Sequence, residues 1–127
     1  YKKTYVQNQI LGRALLESVL FYDGKCIFTT VTIDEMEFYG VTGRELGGIV
    51  EQLRLTDGVE VAIFLYQTGE EEYKVSLRSK KKIDVAAIAT QFGGGGHVRA
   101  AGYTAKGSVY QIINSIGELI EKQYNAM

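Results

Sequence analysis

The sequence predicts one α/β (α+β) domain over residues 1–127, with a mixed β-sheet flanked by helices and a glycine-rich loop between a helix and a strand. Segments with apolar residues at helical spacing alternate with at least three β-branched or alternating segments, as in α/β and α+β domains. A chain of 127 residues is long enough to bury a core without metal or disulfide cross-links. No linker or internal repeat divides the pattern.

The amino-terminal part is predicted to form a helix followed by a strand. Apolar residues recur at four-residue spacing over Gln9–Phe21, which predicts an amphipathic helix. An Asp-Gly pair then predicts a turn, and the β-branched segment Cys26–Ile33 predicts a strand with Cys26 in the core. The acidic and aromatic segment Asp34–Gly40 shows no clear pattern, so its structure is left open.

The middle of the chain is predicted to contain a second helix and two adjacent strands. Thr42 and Glu45 match a capping box, and apolar residues follow at helical spacing as far as Leu53. The nearly continuous apolar run Val59–Tyr66 predicts a central strand that is buried on both faces. After a hairpin turn, Tyr73–Ser79 alternates in polarity. This alternation places three polar side chains on one face: Lys74, Ser76 and Arg78.

Two further helices are predicted towards the carboxyl terminus. Asp84 is a suitable N-cap for a short helix that extends to Phe92, and Gly93 occupies the usual terminating position. Ser108 and Gln111 match another capping box, which predicts a last helix with a stripe of isoleucines. The run of glycines lies between the two helices and is followed by a predicted strand.

Composition and charge exclude several classes of protein. The formal net charge is −1, so no overall field attracts nucleic acid and any basic site must be local. The single cysteine forbids an intrachain disulfide, and a cytoplasmic location is expected. No apolar run approaches the ~18 residues of a membrane span, and no signal-peptide pattern is found. Because the chain begins with Tyr1 rather than Met, we expect that an amino-terminal part has been removed.

The most informative stretch is a run of four glycines followed by a histidine and an arginine: Gly93, Gly94, Gly95, Gly96, His97 and Arg99. Glycines lose much backbone entropy on ordering, so four in succession indicate a close approach to a ligand. Their amides can form a concave anion site, to which the histidine adds a donor and the arginine a planar fork. The structural alternative is a flexible surface turn. Neither the Walker loop nor the dinucleotide fingerprint matches this run.

A second basic cluster precedes the glycines and consists of Arg78 and the segment Lys80–Lys82. Arg78 ends a predicted strand that leads through a short helix to the glycines, so this unit can bring Arg78, His97 and Arg99 around one anion. For Lys80–Lys82 a solvated turn is the favoured interpretation. One histidine cannot build a His-based metal site, and no catalytic set of side chains is found. The residues therefore predict a phosphate-binding chain that lacks a self-sufficient catalytic set.

Together these residues resemble the carboxyl-terminal, DHH-associated substrate-binding domain of DHH-family phosphoesterases. The resemblance is carried by four segments: Ser76–Ser79, Asp84–Val85, Gly93–His97 and Arg99–Gly102. It is best over Val59–Gly102 and extends more loosely from Leu11 to the end. Within the family, this stretch is most similar to bacterial oligoribonucleases that also remove the 3′-phosphate of 3′-phosphoadenosine 5′-phosphate.

The resemblance implies that the chain supplies substrate binding to a Mn²⁺-dependent phosphoesterase acting on short oligoribonucleotides, 3′-phosphoadenosine 5′-phosphate or both. The implied phosphate ligands are Arg78, Ser79, Gly93, Gly94, Gly95, Gly96 and His97, with Arg99 as a weaker candidate. Two Mn²⁺ ions would be held by an amino-terminal DHH domain of the same protein. This sequence has no Asp-His-His triplet and no second histidine. The fragment itself is therefore expected to bind no metal and to catalyse nothing.

The resemblance leaves several alternatives open. The same domain occurs in cyclic-dinucleotide phosphodiesterases, single-strand exonucleases and exopolyphosphatases, and a stand-alone nucleotide- or RNA-binding module or a structural domain would also fit. The expected partners are a phosphorylated nucleotide or short single-stranded oligonucleotide and the DHH domain, with no membrane. A homodimer is compatible with the sequence.

Overall fold

Five α-helices and six β-strands are present in residues 3–127, which the computed structural model describes; Tyr1 and Lys2 lie outside the described residues. The helices are α1 (Tyr5–Leu16), α2 (Ile33–Tyr39), α3 (Ile49–Arg54), α4 (Val85–Gln91) and α5 (Val109–Asn125). The strands are β1 (Val19–Phe21), β2 (Cys26–Val31), β3 (Val61–Gly69), β4 (Glu72–Ser79), β5 (Gly95–His97) and β6 (Ala100–Lys106). One turn of 3₁₀ helix, Gly43–Leu46, precedes α3.

The strands form one mixed sheet in the order β1-β2-β3-β4-β6-β5. Only β2 and β3 are parallel among these pairs, and the others are antiparallel. Helices α4 and α5 pack on one face and α1, α2 and α3 on the other, so that β3 is buried from Val61 to Leu65 as its apolar run predicts. The predicted fold class is confirmed. None of the helices in residues 3–127 is long and apolar enough to cross a membrane.

The prediction of a helix over Gln9–Phe21 is wrong at both ends. The helix begins earlier, because Thr4 and Gln7 form a capping box that the spacing of leucines did not reveal. It ends at Leu16, and Val19–Phe21 form β1, which pairs with β2 through a tight turn. A three-residue strand is too short to show an alternating pattern. The four-residue spacing of its leucine and valine with the preceding leucines therefore predicted helix instead.

The segment left open, Asp34–Gly40, lies largely in α2. The hydroxyl of Thr32 accepts a hydrogen bond from the amide of Glu35, whose carboxylate accepts one from the amide of Thr32. The helix predicted after Thr42 is divided in two by Gly48, whose φ of 98° is reserved largely for glycine. A 3₁₀ turn and a short α3 therefore replace one longer helix.

The turn that follows β4, which we call the β4–α4 turn (Lys80–Ile83), is fixed by two opposite charges. The carboxylate of Glu60, only 8% exposed, accepts hydrogen bonds of 2.7–3.2 Å from three backbone amides, those of Lys81, Lys82 and Ile83. Arg99 donates to two carbonyl oxygens of the same turn, at 2.6 Å each. Charge-assisted bonds of this kind are the stronger ones in proteins. The turn backbone is therefore held, while the side chains of Lys81 and Lys82 are exposed.

We predict that Glu60→Ala lowers the free energy of unfolding by about 2–3 kcal/mol, because three amides lose a charged acceptor. Urea denaturation followed by circular dichroism measures the change. Glu70→Ala is the matched control, since Glu70 is exposed at the β3–β4 hairpin, and it should stay within about 0.5 kcal/mol of the unmodified chain. Equal effects of the two substitutions would contradict the role given to Glu60.

Cys26 lies in β2 with no exposed surface, and burial raises the pKa of its thiol to about 12. At neutral pH the thiol stays protonated and out of reach, so we predict negligible reaction with a disulfide reagent in the folded chain. In denaturant the same thiol should react at the rate of a free cysteine. Rapid labelling under native conditions would show that β2 opens, or that the thiol is not buried.

Candidate phosphate-binding site

Half of the predicted glycine loop is an edge strand. Gly95–His97 form β5, which pairs antiparallel with β6 through a two-residue turn at Val98 and Arg99. Successive amides of an extended strand point to opposite sides, so Gly95–His97 do not form a concave nest of consecutive amides. That expectation is wrong for this half of the run. Phe92, Gly93 and Gly94 connect α4 to the strand.

The register of β4, β6 and β5 places Arg78 and His97 on the same face of the sheet. Arg78 pairs with Ala100, and Ala100 pairs with His97, so the three residues form one row across the strands. Two strand spacings of about 4.8 Å separate the backbones of Arg78 and His97 by about 10 Å. The neighbouring row on this face consists of Ser76, Gly102 and Gly95. We call these two rows the open platform.

The open platform is bare because α3 packs against β3 and β4, while α4 covers β5 and β6 on the opposite face. Gly95 and His97 are exposed, and the other platform residues are half-buried. Apart from Arg78 and His97, the open platform carries no side chain larger than that of serine or alanine. A ligand can therefore approach the backbone of β6 and β5 between Arg78 and His97.

One ion pair holds the guanidinium of Arg78. Its Nε donates to Oε1 of Glu51 at 2.9 Å, and its Nη1 donates to the carbonyl oxygen of Leu77 at 3.0 Å. Glu51 is itself held by Arg54, whose Nη2 lies 3.1 Å from Oε2. Within residues 3–127, Nη2 of Arg78 makes no hydrogen bond, so one edge of the fork is available to a ligand.

An open cleft of about 330 Å³ lies beside Arg78. Four cationic side chains and one carboxylate line it: Arg54, Arg78, Lys80, Arg99 and Glu51. The excess of positive charge attracts anions to this point on a chain whose net charge is −1. Sequence reasoning missed Glu51 and Arg54, because they lie on α3, far along the chain from the glycine run.

Two further predicted phosphate ligands, Ser79 and Arg99, also have partners within the protein. The hydroxyl of Ser79 is buried on the other face of β4 and donates to the carbonyl oxygen of Ile83 at 2.6 Å. Nη1 of Arg99 donates to the same oxygen and to the hydroxyl of Ser79, and its Nη2 donates to the β4–α4 turn. Direct binding of phosphate by Ser79 and Arg99 stays a prediction. Their contacts in this structure fix the turn next to the cleft.

Three of the four consecutive glycines are required by the fold, each for its own reason. Gly93 ends α4 with a φ of 85°, in the left-handed region. A Cβ at Gly94 would lie 2.5 Å from a side-chain carbon of β6, and one at Gly96 would lie 2.6 Å from a backbone oxygen of β6. Gly95 has no such constraint, because no atom lies within 4 Å of its Cβ position. The fold therefore explains three of the glycines, and Gly95 leaves open space on the platform.

Metal binding finds no support among the described residues. No three His, Cys, Asp or Glu side chains in residues 3–127 group closely enough to hold a metal ion. The two Mn²⁺ ions that the family resemblance implies therefore do not fit this part of the chain.

Comparison with protein families identifies the class. Residues 23–123 match the model of the DHHA1 domain. Because this match spans most of the sequence, the chain belongs to the DHHA1 domain family. The resemblance to the DHH-associated domain that the sequence suggested is thereby confirmed.

Individual relatives are enzymes or enzyme-related proteins. A stretch of 55 residues, 43% of this chain, is 47% identical to the bifunctional oligoribonuclease and PAP phosphatase NrnA of Thermus thermophilus, and it covers 17% of that protein. An exopolyphosphatase-related protein from Bacteroides fragilis superposes with a TM-score of 0.85 at 23% identity, over 95% of this chain and 36% of that one. The pGpG-specific phosphodiesterase PggH of Vibrio cholerae superposes with a TM-score of 0.64 at 10% identity, over 94% of this chain and 39% of that one. The chain thus spans well under half of each relative, and the two structures establish the fold alone.

We predict that Gly94→Ala and Gly95→Ala differ in stability although they are neighbours. The first forces a Cβ against β6 and should lower the free energy of unfolding by about 1–3 kcal/mol. The second meets open space and should change it by less than about 0.5 kcal/mol. Parallel thermal and urea denaturation of the two variants measures the difference. Equal losses would show that Gly95 is also held by packing.

Proposed function

We propose that this chain is the substrate-binding domain of a metal-dependent phosphoesterase that hydrolyses short oligoribonucleotides, 3′-phosphoadenosine 5′-phosphate or both. Membership of the DHHA1 domain family supports the assignment. A second support is the name of the relative with 47% identity, an oligoribonuclease and PAP phosphatase. In this proposal an amino-terminal DHH domain of the same protein carries out the hydrolysis, and this domain binds and orients the phosphate.

The observation that carries the proposal is the placement of Arg78 and His97 in one row of the open platform, with a nearly bare floor beside them. A span of about 10 Å between the two backbones admits a phosphate group bound from both sides. Donors carried by strands that the sheet holds rigid cost little reorganisation when the phosphate binds.

Arg78 supplies the main electrostatic contact. Its free Nη2 donates to a phosphate oxygen, while Glu51 keeps the guanidinium plane in place through Nε. A planar, permanently charged fork suits phosphate better than an ammonium group does. Glu51 also lowers the local positive charge, so the site binds the anion without holding the product too tightly.

His97 and Gly95 complete the site from β5. The imidazole of His97 is exposed and donates a ring N–H to a second phosphate oxygen. Gly95 lies two residues away on the same face, where the missing side chain lets the phosphate or sugar approach the backbone. Metal ions bound by the DHH domain would supply activation of water, and this domain closes over the ester and excludes bulk solvent.

In the full-length protein assayed with Mn²⁺, we predict that Arg78→Ala and His97→Ala each lower kcat/KM roughly tenfold or more, because each removes one contact to the transferred phosphate. Gly95→Ala should fold normally and also lose activity. The substrates compared are 3′-phosphoadenosine 5′-phosphate, a diribonucleotide, a linear or cyclic dinucleotide of guanosine, and polyphosphate.

Lys106→Ala is the control for this experiment, since Lys106 is an exposed cation at the far end of β6. It should leave kcat/KM within twofold. Unchanged turnover in both Arg78→Ala and His97→Ala would overturn the proposed site. Preferential hydrolysis of polyphosphate would keep the site but reject the nucleotide substrates.

A further inference from the structure

A second cleft lies at the same end of the sheet as Arg78, across the β4–α4 turn. This cleft, which we call the lysine cleft, has a volume of about 350 Å³, and its walls include Lys25, Lys81, Lys82 and Tyr124. Lys80 lines both the lysine cleft and the cleft beside Arg78. The two clefts are therefore neighbours that share one wall.

The topology explains why the two clefts meet. Lys25 immediately precedes β2, Glu60 precedes β3 and Lys80 follows β4, and the register places these three positions at one end of the sheet. The turn at Arg99 and the end of β5 at His97 lie at the same end. The cations of both clefts thus form one strip along this end.

The lysine cleft carries more positive than negative charge: four lysines and one carboxylate, that of Glu60, line it. Within residues 3–127, Lys25, Lys81 and Lys82 take part in no ion pair. The carboxylate in the wall, that of Glu60, is buried and accepts three backbone amides of the β4–α4 turn. Since the whole chain has a net charge of −1, this concentration of unpaired cations is a local feature that fits an anionic ligand.

Aromatic rings lie beside one of these cations, Lys25, and one of the two rings, that of Tyr124, also lines the lysine cleft. The rings of Tyr22 and Tyr124 are 5.4 Å apart, and Nζ of Lys25 lies 5.3 and 5.1 Å from their centroids. Tyr22 takes a left-handed φ of 54°, which is uncommon for a bulky residue. Cations interleaved with aromatic faces are typical of sites for single-stranded nucleic acid, in which phosphates meet cations and bases stack on rings.

The strip of cations that runs along both clefts is long. From β2, which begins after Lys25, to β5, which ends at His97, there are four strand spacings of about 4.8 Å, or about 19 Å in all. Arg78 itself lies two strand spacings, about 10 Å, from β2, so the two clefts are neighbouring parts of this strip. A ligand with several phosphates in a row can contact both clefts at once and extend along the whole strip.

We propose that the lysine cleft binds the following phosphates of a single-stranded oligonucleotide whose first phosphate lies between Arg78 and His97. The inference rests on the proposed function and adds a second subsite to it. The lysine cleft makes affinity depend on substrate length, whereas Arg78 and His97 act on substrates of every length.

The test compares the 127-residue chain with the variant Lys25→Gln/Lys81→Gln/Lys82→Gln in titrations with a single-stranded RNA hexamer and with a diribonucleotide, followed by NMR. The hexamer Kd should rise about tenfold or more in the variant. The slope of log K against log salt should become shallower by about 2, since three fewer cations meet the phosphates. The diribonucleotide Kd should stay within twofold.

A control variant removes three exposed cations outside both clefts: Arg44→Gln/Lys106→Gln/Lys122→Gln. It has the same net charge as the test variant, so an unchanged hexamer Kd there excludes a general charge effect. An unchanged hexamer Kd in the test variant, equal weakening of both RNAs, or an effect confined to polyphosphate would each overturn the lysine cleft as an oligonucleotide subsite. Arg78→Ala tests the proposed function separately, because it should weaken both RNAs; if it weakens neither, the proposed function fails.

Discussion

The paired clamp of Glu60 and Arg99 on the β4–α4 turn is the interaction on which the functional end of the molecule depends. A buried carboxylate satisfies the amides of the turn, and a guanidinium satisfies its carbonyl oxygens. These bonds fix where β4 ends and where β6 begins, and thereby the register that aligns Arg78 with His97. The same bonds set the position of Lys81 and Lys82. One local electrostatic arrangement therefore positions both clefts.

The unequal covering of the sheet leaves the proposed binding surface open. Both faces of β3 are buried, whereas β6 and β5 have a helical layer on one face only. The bare face carries small residues. They bury little apolar surface, and they leave the backbone accessible. Arg78 lies at the boundary between the two regions, where α3 contributes Glu51 to orient it. The buried core and the proposed binding surface thus lie in different halves of one sheet.

Sequence patterns predicted the fold class, the buried central strand, the alternation of β4 and the last helix, because each of these is long enough to show its period. They failed for β1 and β5, which have three residues each. They also treated the glycine run as a single feature, although Gly94 and Gly96 serve packing against β6 and Gly95 does not. For Arg99 the sequence shows the charge but not the carbonyl oxygens of the β4–α4 turn that it contacts. Glu51 could be found only from the tertiary structure.

The two outermost strands have a consequence for self-association. An unpaired strand edge is a template onto which another chain can add by backbone hydrogen bonding, and proteins limit this by keeping edge strands short. In this sheet β1 and β5 are the edges, and each offers only three residues. Two of the three in β5 are glycines, which are poor strand formers. Sheet extension between copies is therefore disfavoured at both edges, and the backbone of β5 remains accessible without acting as a nucleus for aggregation.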